Sequence, residues 1–233
     1  MTLLSAQGLT KTFGGLHAVQ NVDFDLPEGQ IRALIGPNGA GKTTFVGMLC
    51  GRLLPTEGRV RFDGEDITRL PAHKRIRRGM AYTFQITSIF DKLSCTENVA
   101  LAVRRRGGDE RVDVPRALER VGLTTQGAYA AGDLSYGHQR LLEIAMGLAQ
   151  TPRLLILDEP TQGLSDTEVI AFKDLIRGLA AETTILLIEH NMDVVMETAD
   201  VVTVLNFGEV LAEGTPAEIR ASTAVQAAYL GTG

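Results

Sequence analysis

The sequence predicts an α/β fold that combines an antiparallel sheet near the N-terminus, a set of buried parallel strands and an inserted group of helices. Residues 22–26 and 59–67 alternate apolar with polar side chains, which is typical of strands with one face in water. Residues 31–36, 153–159 and 183–190 are mostly apolar and lead to polar residues at their ends, as buried parallel strands do. Because ligands collect beyond the carboxyl ends of such strands, we expect the polar groups of all three to face one shared edge.

The stretch from residue 85 to residue 150 shows helix patterns and no convincing strand. We therefore predict one domain over residues 1–233. Its α/β core is formed by residues 1–84 and 151–233, and residues 85–150 form a helical subdomain inserted into that core.

Capping patterns predict where several helices begin. Residues 94–97 and 215–218 have capping-box spacing, and Asp113 with Pro115 resembles a further helix start. One more helix is predicted to pack on the sheet, because four apolar residues share one of its faces. These residues are Val169, Phe172, Ile176 and Leu179.

The composition is that of an ordinary folded protein, with 233 residues, 44% of them hydrophobic and 22% charged. The two cysteines suit a reducing compartment. No apolar run approaches the ~20 residues of a membrane span, and the first residues lack the pattern of a secretory signal. The net charge of −5 argues against general nucleic-acid binding. We interpret two basic clusters, residues 73–78 and 104–106, as solvated helix faces, and His17 and His73 as surface residues.

Residues 36–44, GPNGAGKTT, fit the phosphate-loop pattern G-x-x-x-x-G-K-[ST] between a buried strand and a helix. Glycines let the backbone wrap a phosphate chain, and the inward-pointing amides and the helix N-terminus attract its negative charge. Lys42 is predicted to reach the β- and γ-phosphates, and Thr43 is predicted to ligate Mg²⁺. The glycine spacing disfavours a dinucleotide fingerprint. The predicted nucleotide-binding residues of the loop are Gly36, Pro37, Asn38, Gly39, Ala40, Gly41, Lys42, Thr43 and Thr44.

Residues 154–160, LLILDEP, end a buried strand in two adjacent carboxylates. Asp158 suits the role of organising Mg²⁺, and Glu159 suits that of polarising a water for attack on the γ-phosphate. An acidic strand end by itself is also typical of a simple turn. The phosphate loop in the same chain favours the catalytic interpretation.

Five segments occur in the order and spacing of ATP-binding-cassette (ABC) ATPases: the phosphate loop, TFQ, LSYGHQR, LILDEP and IEH. The chain resembles that superfamily over essentially its whole length. Within it, FGGLHAVQNVDF, LSYGHQRLLEIA, TTILLIEHNMDVV and AYLG resemble the ATPase subunits of branched-chain amino-acid importers, and urea and amide importers are similar. The resemblance implies a P-loop NTPase (ABC ATPase) core with an N-terminal antiparallel β subdomain and an inserted α-helical signature subdomain.

The resemblance also implies roles at matching positions. Phe13 is expected to stack on adenine, Gln85 to sense Mg²⁺ and the attacking water, and His190 to contact the γ-phosphate. Ser135 and Gly137 are expected to bind the γ-phosphate of the nucleotide held by an opposite subunit. The expected catalytic residues are thus Glu159, His190, Gln85 and Lys42, and the expected Mg²⁺ site uses Thr43, Gln85 and Asp158.

Three positions depart from the common ABC pattern. Tyr136 replaces the usual glycine of the signature, and His138 the usual glutamine. Ser165 lies where the loop joining two subunits commonly has aspartate. No third orienting group accompanies Ser135 and His138, so we interpret Ser135 as a hydroxyl donor to phosphate and not as a nucleophile.

The function implied is hydrolysis of ATP, with Mg²⁺, in two subunits that sandwich two nucleotides and energise solute uptake. The expected partners are a second ABC ATPase subunit, either a copy or a related chain, and separate integral membrane permease subunits. An extracytoplasmic solute-binding protein would act indirectly, and no nucleic acid is expected. The expected location is peripheral, at the cytoplasmic face of a prokaryotic-type inner (plasma) membrane.

The permease is predicted to dock on residues 86–98, where Ile86, Ile89, Phe90 and Leu93 lie in a loop. A soluble cassette acting on ribosomes or DNA is the main alternative class. Such proteins usually carry two cassettes or a long coiled-coil insertion, and this chain has neither. A P-loop kinase or GTPase acting alone leaves LSYGHQR, Gln85 and His190 unexplained.

Overall fold

The computed structural model describes residues 1–83 and 88–230 of the chain. They form two compact units. The first unit comprises Met1–Arg78 and Thr184–Gly233, and the second unit comprises Gly79–Thr183. The subdomain boundaries expected at residues 85 and 150 stay predictions.

The structure confirms the strands predicted from the alternating segments and from the apolar segments of the sequence. In chain order they are β1 (Thr2–Phe13), β2 (Leu16–Pro27), β3 (Ile31–Ile35), β4 (Glu57–Phe62), β5 (Glu65–Asp66), β6 (Met80–Thr83), β7 (Leu154–Asp158), β8 (Thr184–Ile188), β9 (Val201–Asn206) and β10 (Glu209–Gly214).

The first unit contains an antiparallel sheet in the order β2-β1-β4-β5, as expected near the N-terminus. Asp63 and Gly64 form the turn between β4 and β5 with positive φ angles of 52° and 77°. In the same unit β3 pairs in parallel with β8 and β9, and β10 pairs antiparallel with β9. Strand β3 lies between β8 and β9, and all five of its residues are buried.

The helices, in chain order, are α1 (Lys42–Leu49), α2 (Ala72–Ile76), α3 (Cys95–Arg106), α4 (Glu110–Arg120), α5 (Tyr136–Leu148), α6 (Asp166–Leu179), α7 (Met192–Thr198), α8 (Pro216–Ala221) and α9 (Thr223–Leu230). The second unit holds α3 to α6 and the parallel pair β6 and β7. Between residues 88 and 150, the part of the predicted helical stretch that the structure describes, no strand occurs. None of the described helices is long and apolar enough to cross a membrane.

The predicted capping boxes are present at the start of α3 and of α8. In each one the N-cap hydroxyl and the glutamate three residues later exchange hydrogen bonds with main-chain amides, which satisfies donors that the first helical turn leaves free. The predicted apolar face of α6 is also confirmed, with Phe172, Ile176 and Leu179 buried and Val169 half-buried.

The helix start predicted at Asp113 and Pro115 is wrong. Helix α4 begins at Glu110, where the Asp109 carboxylate accepts a hydrogen bond of 2.9 Å from the Arg111 amide. Asp109 therefore caps the helix about one turn before Asp113, the predicted start. The Asp113 carboxylate forms an ion pair with Arg106, and Pro115 lies inside the helix.

The expectation of a solvated face is wrong for Arg75, whose side chain is buried. Its guanidinium donates to the carbonyl oxygens of Met48 and Leu49 at 2.8 and 2.7 Å, and to two further carbonyls. Helix α1 ends at these residues, so Arg75 satisfies carbonyls that the helix end leaves free. Burial lowers the pKa of Arg75 to about 10, which leaves it charged at neutral pH. By contrast, His17 and His73 are exposed as expected.

Candidate active site

The phosphate loop runs from the end of β3 to the start of α1 in the first unit. Gly36 has φ of +152°, and a Cβ atom there would lie 2.2 Å from the main-chain oxygen of Leu205. Gly41 has φ of +99°, and a Cβ atom there would lie 2.4 Å from the main-chain oxygen of Ala18. Only glycine fits at these two positions, because the loop packs directly against neighbouring backbone.

Lys42 folds back over this loop. Its Nζ donates to the main-chain oxygens of Gly36 and, at 3.1 Å, of Pro37. Asn38, Gly39 and Thr43 are exposed beside it. An ammonium group, a helix N-terminus and an exposed Gly-rich loop in one place favour the binding of a phosphate group.

Two other predicted residues lie in the first unit. Phe13 ends β1 with its side chain 47% exposed, which leaves the ring open for stacking, and the Lys11 ammonium lies 5.0 Å from the ring centroid. His190 follows β8 and is exposed. Its amide and that of Asn191 donate to one oxygen of the buried Glu189 carboxylate, at 2.9 and 3.0 Å. Glu189 thus fixes the turn that presents His190.

The second unit holds the acidic pair. Asp158 is buried at the end of β7, and its Oδ2 accepts a hydrogen bond of 2.5 Å from the Tyr82 hydroxyl. Glu159 is half-buried and has φ of 48°, a left-handed conformation that is rare for a residue other than glycine. Strain of this kind costs on the order of 1–3 kcal/mol and clusters at functional sites.

The signature segment starts helix α5 in the second unit. Ser135 is the exposed N-cap, and its Oγ accepts a hydrogen bond of 3.3 Å from the His138 amide. The donor is thus the main-chain amide of His138 and not its imidazole. This hydrogen bond therefore does not activate Ser135 as a nucleophile. Gly137 is buried, and a Cβ atom there would lie 2.2 Å from Oε1 of Glu168. Glycine at this position is needed for the packing of α5 against α6.

Two departures from the common pattern have structural reasons. Tyr136 lies against Gly163, where a Cβ atom would be 3.0 Å from the tyrosine ring. Gly163 has φ of +77°, which also favours glycine. Ser165 caps α6 and forms a capping box with Glu168. Serine and aspartate are both good N-caps, so this substitution keeps the helix start intact.

Gln85 and Ile86 lie outside the described residues. The part of the predicted docking loop that follows them is held by Asn98, which is fully buried. Its Oδ1 accepts from the Phe90 amide at 2.8 Å, and its Nδ2 donates to the Phe90 and Ser94 carbonyl oxygens at 3.1 and 3.0 Å. Phe90 is 55% exposed on the loop that these bonds support.

Among the described residues no group of three or more His, Cys, Asp or Glu side chains is arranged to hold a metal ion. The predicted ligands Thr43 and Asp158 offer a hydroxyl and a carboxylate oxygen. Mg²⁺ prefers oxygen donors and is commonly held by one or two protein groups together with phosphates and water. Each of these two oxygen donors is therefore of a kind that fits Mg²⁺ bound together with a nucleotide.

Sequence reasoning missed Tyr82, Glu189 and Asn98. The role of Tyr82 could not be recognised from the sequence, because its hydrogen-bond partner Asp158 lies on another strand, 76 residues away. Glu189 directly precedes a predicted site residue, and a charged side chain at the end of an apolar strand is a usable signal. Asn98 directly precedes the apolar residues 99–103 of α3, and a polar residue at a buried helix position is a signal as well.

The phosphate loop and the acidic strand end define a P-loop nucleotide-binding protein of the α/β class. Comparison with known proteins makes the assignment specific. The family described as "ABC transporter" matches residues 19–162, and the family described as "Branched-chain amino acid ATP-binding cassette transporter" matches residues 209–233. The chain belongs to the ABC transporter family, as one of its ATP-hydrolysing, ATP-binding subunits.

Individual relatives agree with this assignment. The high-affinity branched-chain amino acid transport ATP-binding protein BraF of Pseudomonas aeruginosa is 43% identical, with 98% of each chain covered. The corresponding LivG protein of Escherichia coli is 40% identical over the same shares. A crystal structure of the ADP conformation of an ATP-binding cassette from an ABC transporter aligns with a TM-score of 0.89 at 27% identity, with 99% of each chain covered. The expected ABC ATPase fold is confirmed.

Proposed function

We propose that this ATPase powers the import of branched-chain amino acids through separate membrane permease subunits. The observation that carries the proposal is the full-length identity of 43% to a subunit of a high-affinity branched-chain amino acid transporter. The match of residues 209–233 to a family of the same transport class supports it independently, because it covers a different part of the chain from the general ABC match.

The proposed reaction is the attack of water on the γ-phosphate of ATP, which yields ADP and phosphate. The phosphate loop binds the phosphate chain, and Lys42 exchanges its contacts with loop carbonyls for contacts with the β- and γ-phosphates. Glu159 accepts a proton from the attacking water as it forms the new bond. His190 and Gln85 orient the γ-phosphate and the water, and Phe13 stacks on the adenine.

Thr43, Asp158 and Gln85 are the proposed ligands of Mg²⁺. When bound, this ion neutralises charge that develops on the phosphates. The Tyr82 hydroxyl orients the Asp158 carboxylate through the 2.5 Å hydrogen bond. We therefore assign Tyr82 a supporting role in restraining the Asp158 carboxylate, which would help to hold the ion.

Hydrolysis is proposed to require two subunits. Ser135 and Gly137 bind the γ-phosphate of the nucleotide held by the opposite subunit, which is a copy of this chain or a related one. Two features support this role: Ser135 is exposed, and it starts a helix whose N-terminal dipole favours an anion.

Coupling to transport is proposed to pass through residues 86–98, with Phe90 as the exposed apolar contact. The subunit then lies at the cytoplasmic face of the membrane, bound to permease subunits. A solute-binding protein on the other side delivers the solute. The network around Asn98 supports this assignment, since it gives the loop a fixed shape that a partner can recognise.

The test is to co-purify the chain with its permease subunits, reconstitute the complex with its solute-binding protein, and measure ATPase activity. Leucine, isoleucine and valine are expected to stimulate hydrolysis, whereas urea and short amides are not. A complex with Lys42→Ala serves as the inactive control. Stimulation by urea or amides alone would overturn the proposed solute class.

A further inference from the structure

The hairpin of β1 and β2 lies directly against the phosphate loop. A Cβ atom at Gly41 of the loop would lie 2.4 Å from the main-chain oxygen of Ala18 and 3.5 Å from Cγ2 of Val19. Both of these contacts belong to β2, and Lys11 of β1 pairs with Val19 in the antiparallel register. The end of β1 therefore lies one strand away from the residues that touch the loop.

Phe13 lies at the tip of this hairpin. It pairs with Leu16 across a turn in which Gly14 and Gly15 have φ angles of 52° and 92°. Positive φ angles at both central positions are typical of the tight turns that join neighbouring strands. The Phe13 side chain is 47% exposed. Since exposed side chains change rotamer within nanoseconds, this ring keeps one orientation only where a neighbour restrains it.

Lys11 supplies such a restraint. It precedes Phe13 by two residues, the spacing that brings side chains to one face of a strand. Its ammonium lies over the Phe13 ring, 5.0 Å from the ring centroid, and donates a hydrogen bond of 2.8 Å to the carbonyl oxygen of Leu54. The negative face of an aromatic ring attracts a cation. The hydrogen bond to Leu54 thus fixes the cation, and the cation in turn restrains the ring.

The segment that carries Leu54 is itself bound to β1. The amide of Thr56 donates to the Thr10 carbonyl oxygen at 2.8 Å, and the Thr12 amide donates to Oγ1 of Thr56 at 3.1 Å. These two bonds lie on either side of Lys11 along the strand. The Leu54 carbonyl is therefore a fixed acceptor for the Lys11 ammonium.

We propose that Lys11 is a positioning residue for the adenine of ATP, which holds the Phe13 ring in the orientation that accepts the base. The inference rests on the proposed stacking of adenine on Phe13. With the ammonium over one face of the ring, the opposite face receives the base. A ring that is already restrained loses less conformational freedom when the base binds, which raises the affinity. Lys11 therefore affects the binding of the base, and not the binding of the phosphates or the chemical step.

The test uses Lys11→Met in the full-length chain, which keeps a long side chain and removes the charge. Titration calorimetry measures the affinity for ATP and for tripolyphosphate, a phosphate chain without a base, both with Mg²⁺. We expect a loss of about two- to fivefold for ATP, the scale of one exposed cation–π contact, and no loss for tripolyphosphate. In the assembled transporter the KM for ATP should rise by the same factor, with kcat within about twofold. Lys11→Arg keeps the cation and should restore the affinity for ATP.

Lys74→Met is the matched control, because Lys74 is exposed on α2 and its replacement changes the net charge equally. It should bind both ligands like wild type. Phe13→Ala separates this inference from the proposed function. A loss of ATP affinity with Phe13→Ala but not with Lys11→Met would overturn the role of Lys11 alone, whereas no loss with either variant would also overturn the stacking of adenine on Phe13. Weaker tripolyphosphate binding by Lys11→Met would overturn the proposal too, because the effect would then not be confined to the base.

Discussion

The hydroxyl of Ser135 caps helix α5 by accepting a hydrogen bond from the His138 amide, and Ser135 is exposed. We propose that the same hydroxyl also binds a phosphate held by another subunit. An N-cap is worth about 1 kcal/mol, which is a small part of the stability of a domain. Loss of the hydroxyl should therefore harm catalysis more than folding.

We predict that Ser135→Ala leaves the ATP affinity of the isolated subunit within about twofold of wild type. In the assembled transporter it should lower hydrolysis by about 10–100-fold, because one donor to the transition-state charge is lost. Thr215→Ala is the control, since it removes another hydroxyl N-cap away from the proposed site. Titration calorimetry and steady-state ATPase assays give the two readouts. Loss of ATP binding by isolated Ser135→Ala would contradict the role in trans.

Local structural features that depend on spacing in the sequence, a loop or the end of a strand, could be predicted from the sequence. The phosphate loop is a contiguous pattern, and Asp158 with Glu159 ends an obvious apolar strand. Tyr82 could not be predicted in the same way, because its hydrogen bond to Asp158 exists only through the pairing of β6 with β7. Arg75 was misjudged for a similar reason: its carbonyl partners at the end of α1 are 26 and 27 residues away.

The contact of helix α5 with helix α6 depends on Gly137. A Cβ atom at this position would meet Oε1 of Glu168 at 2.2 Å and Cδ2 of Leu164 at 3.1 Å. Glu168 has little freedom to move away, because its other carboxylate oxygen accepts from the Ser165 amide and hydroxyl at 2.9 and 2.8 Å. These two bonds hold the capping box of α6.

We predict that Gly137→Ala destabilises the chain by about 1–3 kcal/mol, the usual range for overpacking. Gly178→Ala is the matched control in helix α6, where a Cβ atom has open space. It should stabilise the chain by about 0.4–1 kcal/mol, because alanine lowers the entropy of the unfolded state. Urea unfolding midpoints measure both effects. If the two variants shifted the urea unfolding midpoint equally and in the same direction, Gly137 would not be needed for the packing of α5 against α6.

The start of a helix could be predicted where its capping residues lie within a few positions of one another in the sequence. The capping boxes of α3 and α8 follow from four-residue patterns. The start of α4 was not predicted correctly, because both Asp109 and Asp113 are chemically suitable caps. The ion pair of Asp113 with Arg106 decides between them, and Arg106 lies on another helix.

Solute uptake powered by this subunit requires that ATP hydrolysis be transmitted to a permease. Phe90 is the exposed apolar side chain on the loop organised by Asn98. A charge at its position should be costly to bury against an apolar partner surface but harmless in the free subunit.

We predict that Phe90→Glu keeps the ATP affinity of the isolated subunit and loses solute-stimulated hydrolysis and transport in the reconstituted complex. Val112→Glu is the control, since Val112 is 60% exposed on α4, outside the predicted docking surface. Transport of labelled solute per ATP hydrolysed gives the coupling ratio. Unchanged coupling with Phe90→Glu would remove this loop from the docking surface.

This chain is an ATPase, and we propose that Glu159 is the base that activates the attacking water. Glu159→Gln keeps the size of the side chain and removes its ability to accept a proton. In the assembled transporter it should bind ATP with an affinity within about threefold of wild type and turn over at least about 100-fold more slowly, the scale of lost general base catalysis. Glu209→Gln, at an exposed glutamate of β10, should match wild type. Near-normal turnover by Glu159→Gln would contradict the claim.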